Sequence, residues 1–305
     1  MSTVTQTAKS NAAPAVSASK RYKKRSQAAE IWRRLKKNTG ALVGLVVISI
    51  LIFVALFADL LVDYDTAVAG QNIMERLQWP SLKHPMGTDE MGRDLFARVL
   101  YGTRISLAVG LVAVAVALTF GVTLGAIAGY FGGVLEDVIM RVTDIFAAVP
   151  NILMGIVIVA AMGASTINLM LAVGVTSIPM CVRVTRAAVL TVRDQEYVEA
   201  ARAVGIGEMK IIFCHVLPNC LSPIVVQTTL RVASAIISAS SLSFLGLGVP
   251  VPSPEWGALL SAGRQFLRTN SYRTFFPGLA ILITVLALNM LGDGLRDALD
   301  PKLRK

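Results

Sequence analysis

The residues able to do chemistry are few, and their spacing argues against catalysis. Cys181, Cys214 and Cys220 form an odd set, and Cys214 beside His215 lacks metal-ligand spacing. The other histidine, His84, lies far upstream. No G-x-x-x-x-G-K-[ST] sequence occurs, so no P-loop cradles nucleotide phosphates, and any ATP hydrolysis belongs to a partner. No catalytic, cofactor-binding or metal-ligating residue follows from these side chains. Glu199-Ala200-Ala201-Arg202-Ala203-Val204-Gly205, closed by His215-Val216-Leu217-Pro218, offers contact chemistry instead. Its alanines let a partner backbone approach closely, Glu199 can pair with a basic residue or cap a helix, and Gly205 suits a turn. An ordinary amphipathic loop is the plainer alternative.

Ionisable residues inside apolar runs are the second set of candidates. Arg141 and Asp144 stand three apart and could pair on one helical face. Arg231 sits about two turns into its run with Gln227 one turn earlier, and either lines a pathway or pairs within a bundle. Arg183 and Arg186 close the preceding run, where snorkelling accounts for them.

These residues need helices to position them. Apolar residues make up 54% of the chain and charged residues 16%, and the mean hydropathy is +0.64. Six apolar runs stand out, at 41–62, 105–130, 145–162, 167–190, 223–247 and 275–291. Each approaches the roughly 20 residues that cross a ~30 Å hydrocarbon core as a helix. Pro150 and Pro179 fall inside the third and fourth runs and predict kinks rather than breaks. Gly121, Gly125 and Gly129 recur every fourth residue of the second run, the small-residue spacing that brings membrane helices together. Leu95, Phe96, Val99 and Leu100 share a face and predict an interfacial helix over 93–104 leading into that run.

Between the fourth and fifth runs, Asp194 is expected to cap a short helix with Tyr197, Ala200, Ala201 and Val204 on one face. Gly205-Ile206-Gly207 ends it, and a second helix runs from about Glu208 to Pro218.

The formal charge of +10 is concentrated at one end. Residues 1–40 hold ten basic residues (Lys9, Lys20, Arg21, Lys23, Lys24, Arg25, Arg33, Arg34, Lys36 and Lys37) against Glu30. That placement is a positive-inside signature with attraction to anionic lipid, not a nucleic-acid site, and it predicts a cytoplasmic N-terminus. Six spans return the C-terminus to the same side. The long basic region and span-length run argue against a cleavable signal peptide, and residues 1–19 read as disordered. There is no internal repeat, which weighs against a stand-alone secondary transporter or channel.

The docking stretch resembles the EAA loop of ATP-binding-cassette importer permeases. Three further segments extend the resemblance to the dipeptide, oligopeptide and nickel class: His84-Pro85-Met86-Gly87-Thr88-Asp89-Glu90-Met91-Gly92-Arg93-Asp94, Ser243-Phe244-Leu245-Gly246-Leu247-Gly248 with Pro254-Glu255-Trp256-Gly257, and Gly292-Asp293-Gly294-Leu295-Arg296-Asp297-Ala298-Leu299-Asp300-Pro301. The chain is similar to the C-type subunits of dipeptide and glutathione permeases. His215 departs from the usual isoleucine of the EAA pattern.

The resemblance implies an all-α polytopic membrane protein with six transmembrane helices, the transmembrane domain of a type I importer in a bacterial inner membrane. It further implies a basic tail over 1–40, a first helix and outer loop over 41–104, a permease domain over 105–292 and a C-terminal tail over 293–305. Implied partners are a second permease subunit, two ATP-binding subunits and an extracytoplasmic substrate-binding protein. Glu199, Ala200, Ala201, Gly205, Leu217 and Pro218 would form the ATPase-coupling loop, with Asp144, Gln227 and Arg231 as pathway candidates. The cargo would be a peptide, or nickel as in some members.

Overall fold

A computed structural model describes residues 27–250 and 252–299. Lys9, Lys20, Arg21, Lys23, Lys24, Arg25, Asp300, Pro301 and the segment 1–19 lie outside the described residues. The described residues are helical and contain no strand. A short helix α1 (Gln27–Leu35) precedes α2 (Thr39–Leu56) and α3 (Ala58–Leu61). After an irregular segment come α4 (Leu95–Phe131), α5 (Gly133–Ala148), α6 (Asn151–Met162) and α7 (Thr166–Leu190). Two short helices, α8 (Glu196–Ala203) and α9 (Glu208–Ile211), lead to α10 (Leu221–Phe244), α11 (Trp256–Gly263) and α12 (Tyr272–Leu299). Five helices are long and apolar enough to cross a membrane, and the bent pair α5 and α6, counted as one span, makes six.

The bundle is built on α4. Its 37 residues make a rod about 55 Å long, well beyond the ~30 Å hydrocarbon core. The expected interfacial helix over 93–104 is therefore the first part of α4 itself. Leu95 and Val99 are buried against Trp256, Leu259 and Tyr272, and that packing keeps the segment in line with the span.

The glycine spacing in α4 does what it predicts. A Cβ on Gly121 would sit 2.4 Å from Cβ of Cys181, and one on Gly125 would sit 2.6 Å from the Val182 carbonyl oxygen. Only bare backbone lets α4 and α7 approach this closely. The core continues from Val109 and Ala113 of α4 through Val173 of α7 to Ile236 and Leu242 of α10 and Leu288 of α12.

The two prolines act differently. Pro179 sits inside an unbroken α7, whereas α5 and α6 meet at 89°, so the kink expected at Pro150 is a break. Val149, just before Pro150, is extended at φ −89°, ψ 129°. The proline ring disfavours the helical region for the residue preceding it, and the helix ends there.

Glu136 and Asp144, eight residues apart on α5, pair with Arg186 and Arg183 of α7, which are only three apart. Eight residues rise about 12 Å and three about 4.5 Å, so α5 crosses α7 instead of running beside it.

One end of the bundle gathers Leu35 of α1, the start of α2 and the end of α12, with Ala41 and Leu35 against Gly294. The segment from α8 to the start of α10 packs at that same end, against Ala126 and Tyr130 of α4. Residues 63–94 and α11 occupy the opposite end, together with the start of α4 and of α12.

Candidate functional site

The expected docking segment is a helix–turn–helix held on the bundle by its own buried face. α8 begins after Gln195 with no side-chain cap, so Asp194 does not cap it. Val198 and Ala201 are buried and join Val189 of α7, Ala126 of α4, and Ile211, Ile212, Val216 and Leu217 farther along the segment. The face expected to pack is therefore divided: Ala201 faces inward, while Tyr197, Ala200 and Val204 are exposed along with Glu199. Val198 displaces them because the segment turns its i, i+3 pair, not the broader apolar stripe, toward α4 and α7.

The turn after α8 is a Schellman motif. Gly205 N–H donates to the Arg202 carbonyl at 2.8 Å, and Ile206 N–H donates to the Ala201 carbonyl at 3.1 Å. Gly205 sits at φ +83°, the left-handed region that this motif requires and that side chains disfavour.

The expected stop at Pro218 does not occur. The backbone widens to a π turn over Ile212–Val216, tightens to a 3-10 turn over Leu217–Cys220 and continues as α10. The changed register accommodates the ring and the missing N–H of Pro218. Leu217 is buried and Pro218 exposed.

A polar clasp that sequence reasoning missed ties the segment to α4. The Tyr130 hydroxyl donates to Glu208 and accepts from Arg202 Nε at 3.1 Å. The Arg202 guanidinium lies 5.0 Å from the Tyr130 ring centroid. Arg193 adds a bond from Nη1 to the Gly129 carbonyl at 3.0 Å. The signal available beforehand was a tyrosine at the rim of an apolar run and an Arg–Glu pair bracketing the glycine turn.

The three pathway candidates do not converge. Gln227 and Arg231 line one crevice between α4, α7 and α10, with Ser177 and Cys181 opposite. Asp144 stands apart and pairs with Arg183 Nη2 at 2.7 Å, not with Arg141. The crossing of α5 over α7 carries its carboxylate there, so Arg183 and Arg186 are ion-paired rather than merely snorkelling.

At the opposite end, the segment 84–94 folds around a buried carboxylate. Asp89 accepts from the backbone N–H groups of Met91 and Arg93, from Arg93 Nε at 2.7 Å and from Arg98 Nη1 at 3.2 Å. His84 Nδ1 lies 2.7 Å from Asp94 Oδ2, and Asp94 Oδ1 caps α4 by accepting from Ala97 N–H. Arg273 at the start of α12 pairs with Glu90.

Glu255, 1% exposed, caps α11 by accepting from Gly257 and Ala258 N–H at 2.9 Å each. Trp256 Nε1–H donates to the Val99 carbonyl at 2.9 Å. The Trp256 bond ties the capped α11 to the first turns of α4.

Burial raises the Glu255 carboxyl above its ordinary value of 4.5, against the lowering by the two backbone donors. A carboxyl raised in the folded state contributes stability that is fully present below the unfolded value and is lost as pH rises through the folded one. Glu255→Gln keeps an acceptor oxygen for only one of the two N–H groups but cannot ionise, so it is expected to remove this part of the pH dependence. Thermal unfolding of the purified protein from about pH 4.5 to about pH 8 measures it. An equally steep decline in the variant would assign the effect elsewhere.

Residues 121–305 match the model of binding-protein-dependent transport system inner membrane components. Residues 26–80 match the N-terminal transmembrane domain of oligopeptide transport permease C. The dipeptide transport system permease protein DppC of Alkalihalophilus pseudofirmus is 48% identical over 90% of both chains. The Escherichia coli K12 protein of the same name is 46% identical over 90% of this chain and 93% of its own. The glutathione transport system permease protein GsiD of Pectobacterium atrosepticum is 45% identical over 90% of this chain and 91% of its own.

In fold, the chain is similar to a solved structure of the inward-facing MetNI methionine ABC transporter. The TM-score is 0.55 at 19% identity, covering 67% of this chain and 96% of that one. With two family models, relatives of nearly equal length and a bundle of span-length helices in agreement, the chain belongs to the binding-protein-dependent transport system inner membrane components, as a multi-pass permease subunit of the ATP-binding-cassette importers.

Proposed function

We propose that this permease subunit forms one half of the path of a peptide importer, paired with a second, related permease subunit. Of the two ATP-binding subunits, one docks on the segment from α8 to Pro218 and the other on the partner permease, and an extracytoplasmic binding protein delivers cargo to the opposite end. The observation that carries the peptide reading is 48% identity, along 90% of each chain, to a dipeptide permease. The coupling reading rests on the geometry of α8. Its inner side is fastened to α4 and α7 while Tyr197, Glu199, Ala200 and Val204 remain outward. A push on that outward face passes directly into two long helices.

In this reading residues 1–40 and 293–305 are cytoplasmic tails, 41–104 supply the first span and outer loop, and 105–292 form the permease domain. Support for the orientation comes from the net +9 of residues 1–40, because basic segments stay on the cytoplasmic side.

The test is import of alanyl-alanine by proteoliposomes holding the whole transporter. Import is expected with the complete complex and ATP, and neither import nor ATP hydrolysis with this subunit alone. Robust hydrolysis by the isolated chain would overturn the division of labour. Orientation is read in parallel in a background lacking Cys181, Cys214 and Cys220. A membrane-impermeant thiol reagent added outside should leave Glu199→Cys unlabelled, and labelling would invert the assignment.

A further inference from the structure

α10 carries a polar row through an otherwise apolar span. Gln227, Arg231, Ser234, Ser238 and Ser241 follow at intervals of four, three, four and three, which puts them on one helical face. Other sides of the helix are packed, Ile236 against Gly110 of α4 and Leu230 against Gly292 of α12. The polar row is left open: Ser234 is exposed and the other four are half-buried.

Two of the three hydroxyls on this row are satisfied within the helix. Ser234 donates to the Leu230 carbonyl at 3.3 Å and Ser241 to the Ile237 carbonyl at 2.8 Å. Arg231 is different. Arg98, Arg183, Arg186 and Arg273 of the neighbouring helices each hold a carboxylate. Among the described residues, none lies within 4.0 Å of Arg231, which donates no hydrogen bond to any of them. A guanidinium at this depth is costly until an anion reaches it.

The adjoining crevice between α4, α7 and α10 measures about 20 Å³, room for one water-sized group rather than a whole peptide. A carboxylate therefore meets the guanidinium from the open side of the row, where Arg231 is half-buried, and not inside the crevice.

We propose that Arg231 pairs with the free carboxylate of the cargo during its passage along the polar row of α10. The proposal rests on the peptide-importer reading and adds its point of recognition. The planar guanidinium takes a carboxylate bidentately, giving a contact with direction as well as charge. Because Arg231 is half-exposed and stands alone, the contact is weak enough for release, as a conducting site requires.

The experiment uses the complete transporter in proteoliposomes with alanyl-alanine presented by the binding protein. If the unmodified complex fails to import the dipeptide, the peptide reading fails and this proposal falls with it. With import established, Arg231→Gln is expected to lower the rate about tenfold or more, and Arg231→Lys to lower it less.

Charge is separated from shape by Arg231→Cys in a background with Cys181, Cys214 and Cys220 replaced by serine, referred to that background with Arg231 intact. Modification with 2-aminoethyl methanethiosulfonate should restore import, and methyl methanethiosulfonate should not. Wild-type rates in Arg231→Gln, or equal rescue by both reagents, would overturn the proposal. Loss of the second permease subunit from the Arg231→Gln complex would also overturn it, by assigning the guanidinium to a contact between subunits.

Discussion

Tryptophan at Ala200 is expected to abolish import while leaving the subunit inserted and folded. Ala200 is exposed on the outward face of α8, where a bulky side chain would project away from the bundle and hold an ATP-binding subunit off. Ala201, one residue on, is buried among Val198, Val189 and Ile211. Enlarging it should loosen the loop from its own bundle at about 1–3 kcal/mol and lower thermal stability as well as import. A Cβ at Gly205 would meet no atom within 4 Å, so the cost of Gly205→Val is chiefly backbone strain, about 1–3 kcal/mol at φ +83°. Removing the charge in Glu199→Gln should do less, because an exposed ion pair contributes about 1 kcal/mol at most. Co-purified ATP-binding subunits and cargo-stimulated hydrolysis are the readouts. Wild-type values for Ala200→Trp would mean that the ATPase docks elsewhere.

The second large effect is expected at the other end, with Asp89→Ala. The substitution strands Arg93 and Arg98, which are 7% and 3% exposed, without their shared carboxylate. Breaking a buried ion pair from one side costs about 3–5 kcal/mol, enough to unfold the segment 84–94 and release α11 from α4. The purified variant should melt well below the parent, with Asp89→Asn between them because its oxygen still accepts the two backbone N–H bonds. A melting temperature unchanged in Asp89→Ala would show that the guanidinium groups find water instead. Gly92 makes this segment intolerant in a second way. It sits at φ +74°, and a Cβ there would lie 1.7 Å from the Asn72 carbonyl oxygen.

Local patterns in the chain were enough to find the spans, because lipid requires each backbone to satisfy its own hydrogen bonds and long apolar runs leave few alternatives. The contact of α4 with α7 was legible for the same reason, since three glycines at a spacing of four describe a helix surface without side chains. Partners distant in sequence were not legible. Asp144 could be matched with Arg141 by spacing, but the break at Pro150 and the crossing of α5 deliver it to Arg183. The inward side of α8 was misread because the stripe Tyr197, Ala200, Ala201 and Val204 is as apolar as the true one. Tyr130, 71 residues before Ala201 in the chain, helps select Val198 and Ala201 through tertiary packing. The continuation of the chain as helix past Pro218 into α10 depends on a π turn, which no residue type announces.

The unbroken length of α4 has a mechanical consequence. One end carries the clasp of Tyr130, Arg202 and Glu208, and the other carries Val99 and Arg98, bonded to Trp256 and Asp89. With no proline and no interruption between them, the helix is built to carry a displacement of one end to the other as a lever. A tilt of about 10° about the centre of a 55 Å rod would move each end about 5 Å in opposite directions. On the proposed assignment of the two ends, each stroke where an ATP-binding subunit docks would be matched, with the same reach, by a counter-stroke at the end proposed to receive cargo.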